Sequence, residues 1–193
     1  MVLAGKHGSA VLSVSVLRGG SVSTNLREFW KIGEETANSH GKHLDRNEWR
    51  LVLPVHLAET RKEAIEQARV GAARYQRDYF ENTMGFDSVY DGPAEEIIDA
   101  MVDQGAWCVG TPDDLVSAIQ RLDEASGGFG GLLIQANEWA SREHTLQSYE
   151  LVARYVLPKF QGSLDSLKRS QEWAAEKRLS LIHISEPTRP RLI

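Results

Sequence analysis

Cysteine is nearly absent from this chain: Cys108 is the only one in 193 residues. One thiol builds neither a disulfide framework nor a thiolate metal site within a chain. Apolar runs of membrane-spanning length, roughly 20 residues, are missing as well, and no signal peptide opens the sequence, so a reducing cytoplasm is the expected setting. Positive charge is scarce. The 22 Lys and Arg are outnumbered by 27 Asp and Glu, the net charge is −5, and no basic stretch is interleaved with aromatics. A nucleic-acid partner and an anionic membrane surface are therefore not expected. No short-period repeat is present either. What remains, 41% hydrophobic and 25% charged residues, is the composition of one ordinary soluble domain long enough to bury a core.

The most strongly patterned stretch runs from Val109 to Trp139. Thr111 is placed to cap a helix, Pro112 suits the first helical position because its missing N–H would be unsatisfied there, and Asp113 and Asp114 complement the helix dipole. Leu115, Ile119 and Leu122 fall on one face, and Gly127 and Gly128 end the helix. The run from Gly131 to Ala136 is then too short and too apolar for anything but a strand covered on both sides. Two more strand–helix pairs precede it. Ala10–Leu17 is β-branched and mostly apolar, and a loop at Arg18-Gly19-Gly20-Ser21 leads to a helix opened by Asn25 and Glu28. That helix carries Leu26, Phe29, Trp30 and Ala37 and stops near Gly41. Trp49–Ala58 is the second strand, although Pro54 donates no ladder hydrogen bond and sits awkwardly in a central position. Thr60 and Glu63 form a capping box for a helix with Ala64, Ala68, Ala72, Tyr75 and Tyr79 on its apolar side. From Phe80 to Cys108 the periodicity breaks around one short helix near Glu95–Val102. Ser141 caps a last helix with Leu146, Tyr149, Val152 and Val156 on one side and Pro158 as its end, and Ser163–Arg178 is a charged, weakly amphipathic extension. Three strands, each followed by a helix, make either part of a barrel or a small doubly wound sheet, and the pattern alone leaves both open.

In a parallel barrel the working residues lie at the C-terminal ends of strands and in the loops just after them. That directs attention to Ser13 and Ser15, to His56 and Glu59, and to Gln135, Asn137 and Glu138. Glu138 either faces a bound ligand or caps the next helix while Trp139 packs on it. His56 is either a proton donor or hydrogen-bond partner to a cofactor ring, or a satisfied wall residue. The glycine-rich run from Gly127 to Gly131 follows a helix and opens a strand, the reverse of a dinucleotide loop, so capping and close packing account for it. His40 and His43 lack a third ligand nearby, and no metal is expected. Glu34-Glu35 and Glu95-Glu96 read as solvated helix faces, and Cys108 as a small buried hydrophobe.

Several motifs in fixed order add a family. The succession Val-Gly-Thr-Pro-Asp-Asp from Val109, then Gly-Gly-Phe-Gly, then Asn137-Glu138-Trp139, resembles the C-terminal signature of bacterial luciferase-like flavin-dependent monooxygenases, and within them the limonene-monooxygenase-like branch. The likeness extends from Ala4-Gly5-Lys6-His7-Gly8 through Trp49-Arg50, Ala58-Glu59-Thr60 and Ser148-Tyr149-Glu150-Leu151 to Pro158-Lys159-Phe160-Gln161-Gly162. Members are (β/α)8 barrels about twice this length. The resemblance therefore implies an α/β fold that is the C-terminal part of a TIM barrel, about three β-α units, with the barrel not closed. It further implies reduced FMN as cofactor and dioxygen as co-substrate, with a separate flavin reductase as partner. The substrate would be small and hydrophobic, terpene- or alkane-like, and the full-length protein a homo-oligomer. Ser13, Ser15, His56, Asn137 and Glu138 become the candidate cofactor-binding residues. The family's flavin-phosphate contacts lie just before the segment matching Ala4–Gly8, and its active-site histidine lies in the N-terminal half. No catalytic residue is carried over, and the chain alone is expected to be inactive.

Both ends carry expectations of their own. Met1–Gly5 reads as the last turn of a helix with a strand following almost at once, so Met1 is expected to be an internal methionine. Leu179–Arg189 resembles a translated sequencing-library adapter. The expected division is residues 1–178 as the C-terminal portion of a luciferase-like monooxygenase domain and 179–193 as a non-native tail. Two alternatives stand beside this reading: a fragment of a deazaflavin-dependent oxidoreductase of the same superfamily, and a non-catalytic chain that associates through exposed sheet edges.

Overall fold

A computed structural model describes residues 1–14, 25–163 and 165–178. Ser15, the loop from Arg18 to Ser21, the second half of the first expected strand and the tail from Leu179 lie outside them. The three expected strands are present as β1 (Leu12–Val14), β2 (Arg50–Leu57) and β4 (Gly131–Gln135), and a fourth, β3 (Cys108–Gly110), joins them. All pairings are parallel, with β2 as the hub that meets β1, β3 and β4. The short β3 was not expected; three residues between Trp107 and Thr111 carry no periodicity.

Backbone direction fixes which partner lies on which edge of β2, because successive residues of a strand aim their N–H and C=O to opposite sides. Arg50 N–H donates to Val11 O and Ala58 N–H to Gly110 O, so β1 and β3 share one edge. Trp49 O accepts from Gly130 N–H on the other edge, where β4 lies. Pro54 has the parity of Arg50 and Ala58, which puts its missing donor on the β1/β3 edge, between Val14 of one partner and Cys108 of the other. This is how a proline is accommodated at the centre of the hub strand. Beyond the end of β4, Leu57 N–H donates to the Ser148 hydroxyl at 2.8 Å, so no buried backbone donor is stranded there.

Helices cover one face of the sheet. The odd-numbered side chains of β2 (Leu51, Leu53, Val55, Leu57) pack with Leu132 and Ile134 against α2 (Leu26–Ser39), α5 (Pro112–Ser126) and α6 (Arg142–Leu151). Leu51 and Leu57 are fully buried, each worth roughly 1.5–3 kcal/mol relative to exposure. The helix starts follow the local chemistry. Asn25 accepts from Glu28 N–H, Thr60 and Thr111 form capping boxes with Glu63 and Asp114, and Ser141 accepts from His144 N–H. Gly127, in the left-handed region at φ 75°, ends α5. Arg46 locks that end: its Nη1 donates to the carbonyls of Ser126, Gly127 and Gly128 while the guanidinium lies 4.9 Å above the Trp30 ring, itself stacked on Trp49.

Two helices depart from the sequence reading. The helix after Thr60, α3 (Arg61–Arg74), buries Ala64, Ala68 and Ala72 but widens into π-helical turns over Tyr75–Thr83, which leaves Tyr79 half exposed. Pro158 does not end α6. The helix widens over Val152–Val156, where Leu157 N–H reaches back five residues to Val152 O, and the chain then continues through α7 (Leu157–Phe160). The wide turn shifts the hydrogen-bond frame just before the residue that cannot donate. Leu146 and Tyr149 of α6 are exposed; Val152 and Val156 are the buried members of the expected apolar side. At the ends, the helical turn expected at Met1–Gly5 is α1 (Val2–His7), which runs on to a left-handed Gly8, and α8 (Asp165–Glu176) buries nothing. Between α3 and β3, α4 (Ile97–Asp103) carries Ile97, Ile98 and Met101 into a core with Trp107, Val109 and Trp139.

Candidate functional site at the strand ends

The even-numbered residues of β2 point to the other face of the sheet. Over its C-terminal half that face meets α3 and its π-helical continuation, as a roof, through one row of residues four apart: Gln67, Gly71 and Tyr75. Each meets a residue at a strand end. Gln67 Oε1 lies 3.0 Å from His56 Nε2, Tyr75 Oη accepts from Gln135 Nε2 at 2.6 Å, and Gly71 abuts the backbone of Trp139. A Cβ on Gly71 would lie 2.5 Å from Trp139 Cα, so only glycine allows this approach. The sequence reading placed Tyr75 on the apolar side of this helix and passed over Gln67 and Gly71. The signal was there, as a polar, a glycine and a tyrosine at helical spacing beside an all-alanine row.

His56 is buried. Loss of hydration holds its imidazole below the ordinary histidine value; the Gln67 bond opposes that shift, and the nearby His144 adds to it. The ring is therefore neutral, and with the Gln67 carbonyl accepting from Nε2–H, its Nδ1 is the acceptor.

Just past β4 the chain holds two buried donors without a partner. Asn137 Nδ2 and Trp139 Nε1 are both shielded from solvent and make no hydrogen bond. Trp139 is wedged between Trp107, at a centroid distance of 4.4 Å, and Tyr75, edge-on at 5.9 Å. It therefore packs on the roof and not on the following helix, and that helix takes Ser141 as its cap, so Glu138 has no capping role and remains exposed.

His56, Gln135 and Asn137 are thus gathered at the C-terminal ends of β2 and β4. Ser13 is not among them. It pairs in register with Leu51 on the helix-covered face, where its hydroxyl accepts from Trp49 Nε1 at 2.9 Å. Glu59 is exposed at the start of the turn into α3, and Ser15 lies outside the described residues. Cys108 is buried, and burial pushes its thiol up to about 12, which leaves it inert at neutral pH. Among the described residues no three His, Cys, Asp or Glu side chains gather to hold a metal ion, and no helix is long and apolar enough to cross a membrane. An apolar cleft of about 480 Å³ between α5, β4 and the wide turn of α6, lined by Leu115, Ile119, Ile134, Val152, Val156 and Phe160, lies on the opposite face from this polar group.

No protein-family model matches the chain. Individual proteins do. The 4-hydroxyprotoasukamycin monooxygenase of Streptomyces nodosus subsp. asukaensis is 37% identical over 179 residues, 92% of this chain and 48% of that protein. Limonene 1,2-monooxygenase of Rhodococcus erythropolis is 42% identical over 163 residues, 84% of this chain and 41% of that protein. Among solved structures, the oxygenating constituent of 3,6-diketocamphane monooxygenase from Pseudomonas putida, a type II Baeyer-Villiger monooxygenase in complex with FMN, superposes with a TM-score of 0.61 at 27% identity, over 82% of this chain and 44% of that one. The chain spans a little under half the length of each.

Proposed function

Since the chain belongs to the luciferase-like flavin-dependent monooxygenases, we propose that it supplies the C-terminal strand ends of an enzyme that inserts one oxygen atom from dioxygen into a small hydrophobic, terpene- or alkane-like substrate, and that it is inactive alone. Reduced FMN, delivered by a separate reductase, supplies the oxygen-activating chemistry when bound; the protein's part is orientation and a dry pocket.

The observation that carries this reading is the buried, unpartnered Asn137 Nδ2. A buried donor without an acceptor costs about 1–3 kcal/mol, and a flavin ring edge presents carbonyl oxygens and ring nitrogens that accept hydrogen bonds. The residues present fit such a group. Asn137 would donate to it, Gln135 is held at its side by Tyr75, and His56 offers a neutral imidazole fixed by Gln67. The Trp107–Trp139–Tyr75 cluster excludes water behind them. Neither Ser13 nor Glu138 joins this set. The full-length protein, on this reading, is a homo-oligomer.

Titration of the purified chain with oxidised and reduced FMN and with a deazaflavin, followed by assay of limonene oxygenation with a reductase present, tests the proposal. Weak FMN binding that Asn137→Leu weakens further, without product, is expected. Stronger binding of the deazaflavin would favour the deazaflavin reading. Submicromolar FMN affinity or coupled product formation would contradict the claim of inactivity, and FMN binding indifferent to Asn137→Leu would contradict the site.

A further inference from the structure

The roof over the inner, even-numbered face of β2 does not end at Tyr75. Beyond it the helix is widened over Tyr75–Thr83, and five-residue steps bring the side chain at i+5 beside the one at i. Five residues on from Tyr75 is Phe80. Its ring stands edge-on to Tyr75 at 4.9 Å, closer than Tyr79 at 6.1 Å, and edge-on to Tyr79 at 5.1 Å. Phe86 continues the row, 5.8 Å from Phe80. A ladder of rings thus runs from Trp139 at the strand end, through Tyr75 and Phe80, to Phe86. Its outer part is open: Tyr79 is 48%, Met84 51% and Phe86 42% exposed. Large apolar side chains exposed together, and continuous with convergent polar groups at strand ends, mark a surface where a ligand sheds water.

We propose that this shelf of Tyr79, Phe80, Met84 and Phe86 seats the substrate, a neutral terpene-like hydrocarbon, and that Tyr75 is the residue shared between the substrate and cofactor subsites. The inference deepens the oxygenase reading above and rests on it for the occupant. Charge fits such a molecule. The ions interleaved with the rings are paired, Arg74 with Asp78 at 3.8 Å and Arg77 with Glu81 at 2.6 Å, so a neutral ligand lies against carbon without pulling an ion from its partner. The shelf is also held in place in advance. Arg77 Nη1 donates to the Ser88 hydroxyl at 2.8 Å, and its Nη2 donates to the carbonyls of Tyr90 and Gly92 at 2.7 and 2.8 Å. These bonds tie the turn that carries Met84 and Phe86 back onto the helix, which lowers the ordering cost of binding. Tyr75 sets the location: its ring belongs to the ladder while its hydroxyl accepts from Gln135 at the end of β4. A molecule on the shelf is then a ring or two from the proposed flavin site. The apolar cleft beside α5, on the opposite face of the sheet, is not.

Carbon-13 NMR of the methionine methyls and aromatic rings, with limonene added to the chain in the absence of flavin, tests the proposal. The Met84 methyl and the Phe86 ring should shift along one binding curve, while the methyl of Met101, buried in the core, stays in place. Tyr79→Ser and Phe86→Ser should each weaken binding roughly three- to tenfold, the loss of one aromatic contact. Both residues are exposed, so these variants should keep the far-UV circular dichroism of the parent. Tyr75→Phe keeps the ring and removes only the hydroxyl, and Phe160→Ser alters the cleft on the other face; both should leave limonene binding unchanged. An unmoved Met84 methyl at the solubility limit of limonene, shifts confined to the cleft, or binding indifferent to both serine variants at the shelf would overturn the proposal. So would self-association of the chain through these rings that limonene does not reverse. Failure of the flavin reading is a separate result: limonene on the shelf, with the Asn137 amide unmoved by FMN, contradicts that reading alone.

Discussion

Replacing Gly71 by alanine sets two physical effects against each other at the place where the roof meets the strand end. In a solvated helix the change is favourable by about 0.8–1 kcal/mol, because glycine has the greater backbone entropy to lose. Here the new Cβ would sit 2.5 Å from Trp139 Cα and 2.6 Å from its carbonyl carbon, and closer still to the carbonyl oxygen. Ordinary carbon contacts are about 3.5–4.0 Å, so α3 must move away by roughly an ångström. Backbone cannot rotate aside as a side chain would. The displacement falls on the two bonds that flank Gly71 on the same row, His56–Gln67 at 3.0 Å and Gln135–Tyr75 at 2.6 Å. Overpacking costs about 1–3 kcal/mol and each weakened hydrogen bond about 1 kcal/mol. The net expectation is a loss of roughly 2–4 kcal/mol after the helix-propensity gain is subtracted. Urea denaturation followed by tryptophan fluorescence measures it directly, with Ala68, fully buried in the adjacent row, left untouched. An alanine variant that is more stable than the parent would refute the close approach and the roof built on it.

Three further outcomes follow from the same contacts. Arg46→Ala should cost about 2–4 kcal/mol, from charged hydrogen bonds to three helix-end carbonyls and the stacking over Trp30; Arg46→Lys should recover less than half, and a loss below about 0.5 kcal/mol in the same urea assay would contradict the bracing role. His56 has its native pKa below the ordinary 6.5, so the unfolded chain binds the proton more readily. Its contribution is complete above that value and is lost as pH falls through the lower native value, so stability should drop between neutrality and mild acid with a slope that His56→Gln flattens; an unchanged slope would mean another group is responsible. The Cys108 thiol, pushed up to about 12 by burial, should resist iodoacetamide at pH 8 in the folded chain and react once urea unfolds it. Rapid labelling of the native protein would show that β3 opens freely.

What could be read from the sequence was whatever is encoded locally. The caps at Asn25, Thr60, Thr111 and Ser141 each satisfy a nearby helix donor with a nearby side chain, and all four form. The apolar run Gly131–Ile134 and the mostly apolar β2 announce themselves by composition, and β2 pairs in parallel with β1 on one edge and with that run on the other. What could not be read depends on register. Ser13 is one residue from the inner face, and only its pairing with Leu51 shows that it looks toward the helices. β3 is held by a stretch of β2 edge, Val55–Leu57, that lies beyond the described end of β1, and its own three residues say nothing of this. Pro158 failed as a stop because the helix widened to a five-residue step before it. Gln67 and Tyr75 matter only because two strand ends from distant parts of the chain arrive beneath them.

The central claim is that His56, Gln135 and Asn137 at the ends of β2 and β4 face a flavin. Nitrogen-15 NMR of the chain, with Asn137→Leu used to assign the side-chain amide, tests it most directly when FMN is added in steps. The account predicts that the Asn137 Nδ2 resonance, the Gln135 amide and the His56 ring shift together along one weak binding curve, and that the exposed Glu138 and the helix-facing Ser13 move far less. Shifts confined to surface arginines, or to the apolar cleft between α5 and α6, with the Asn137 amide unmoved at saturation, would contradict it.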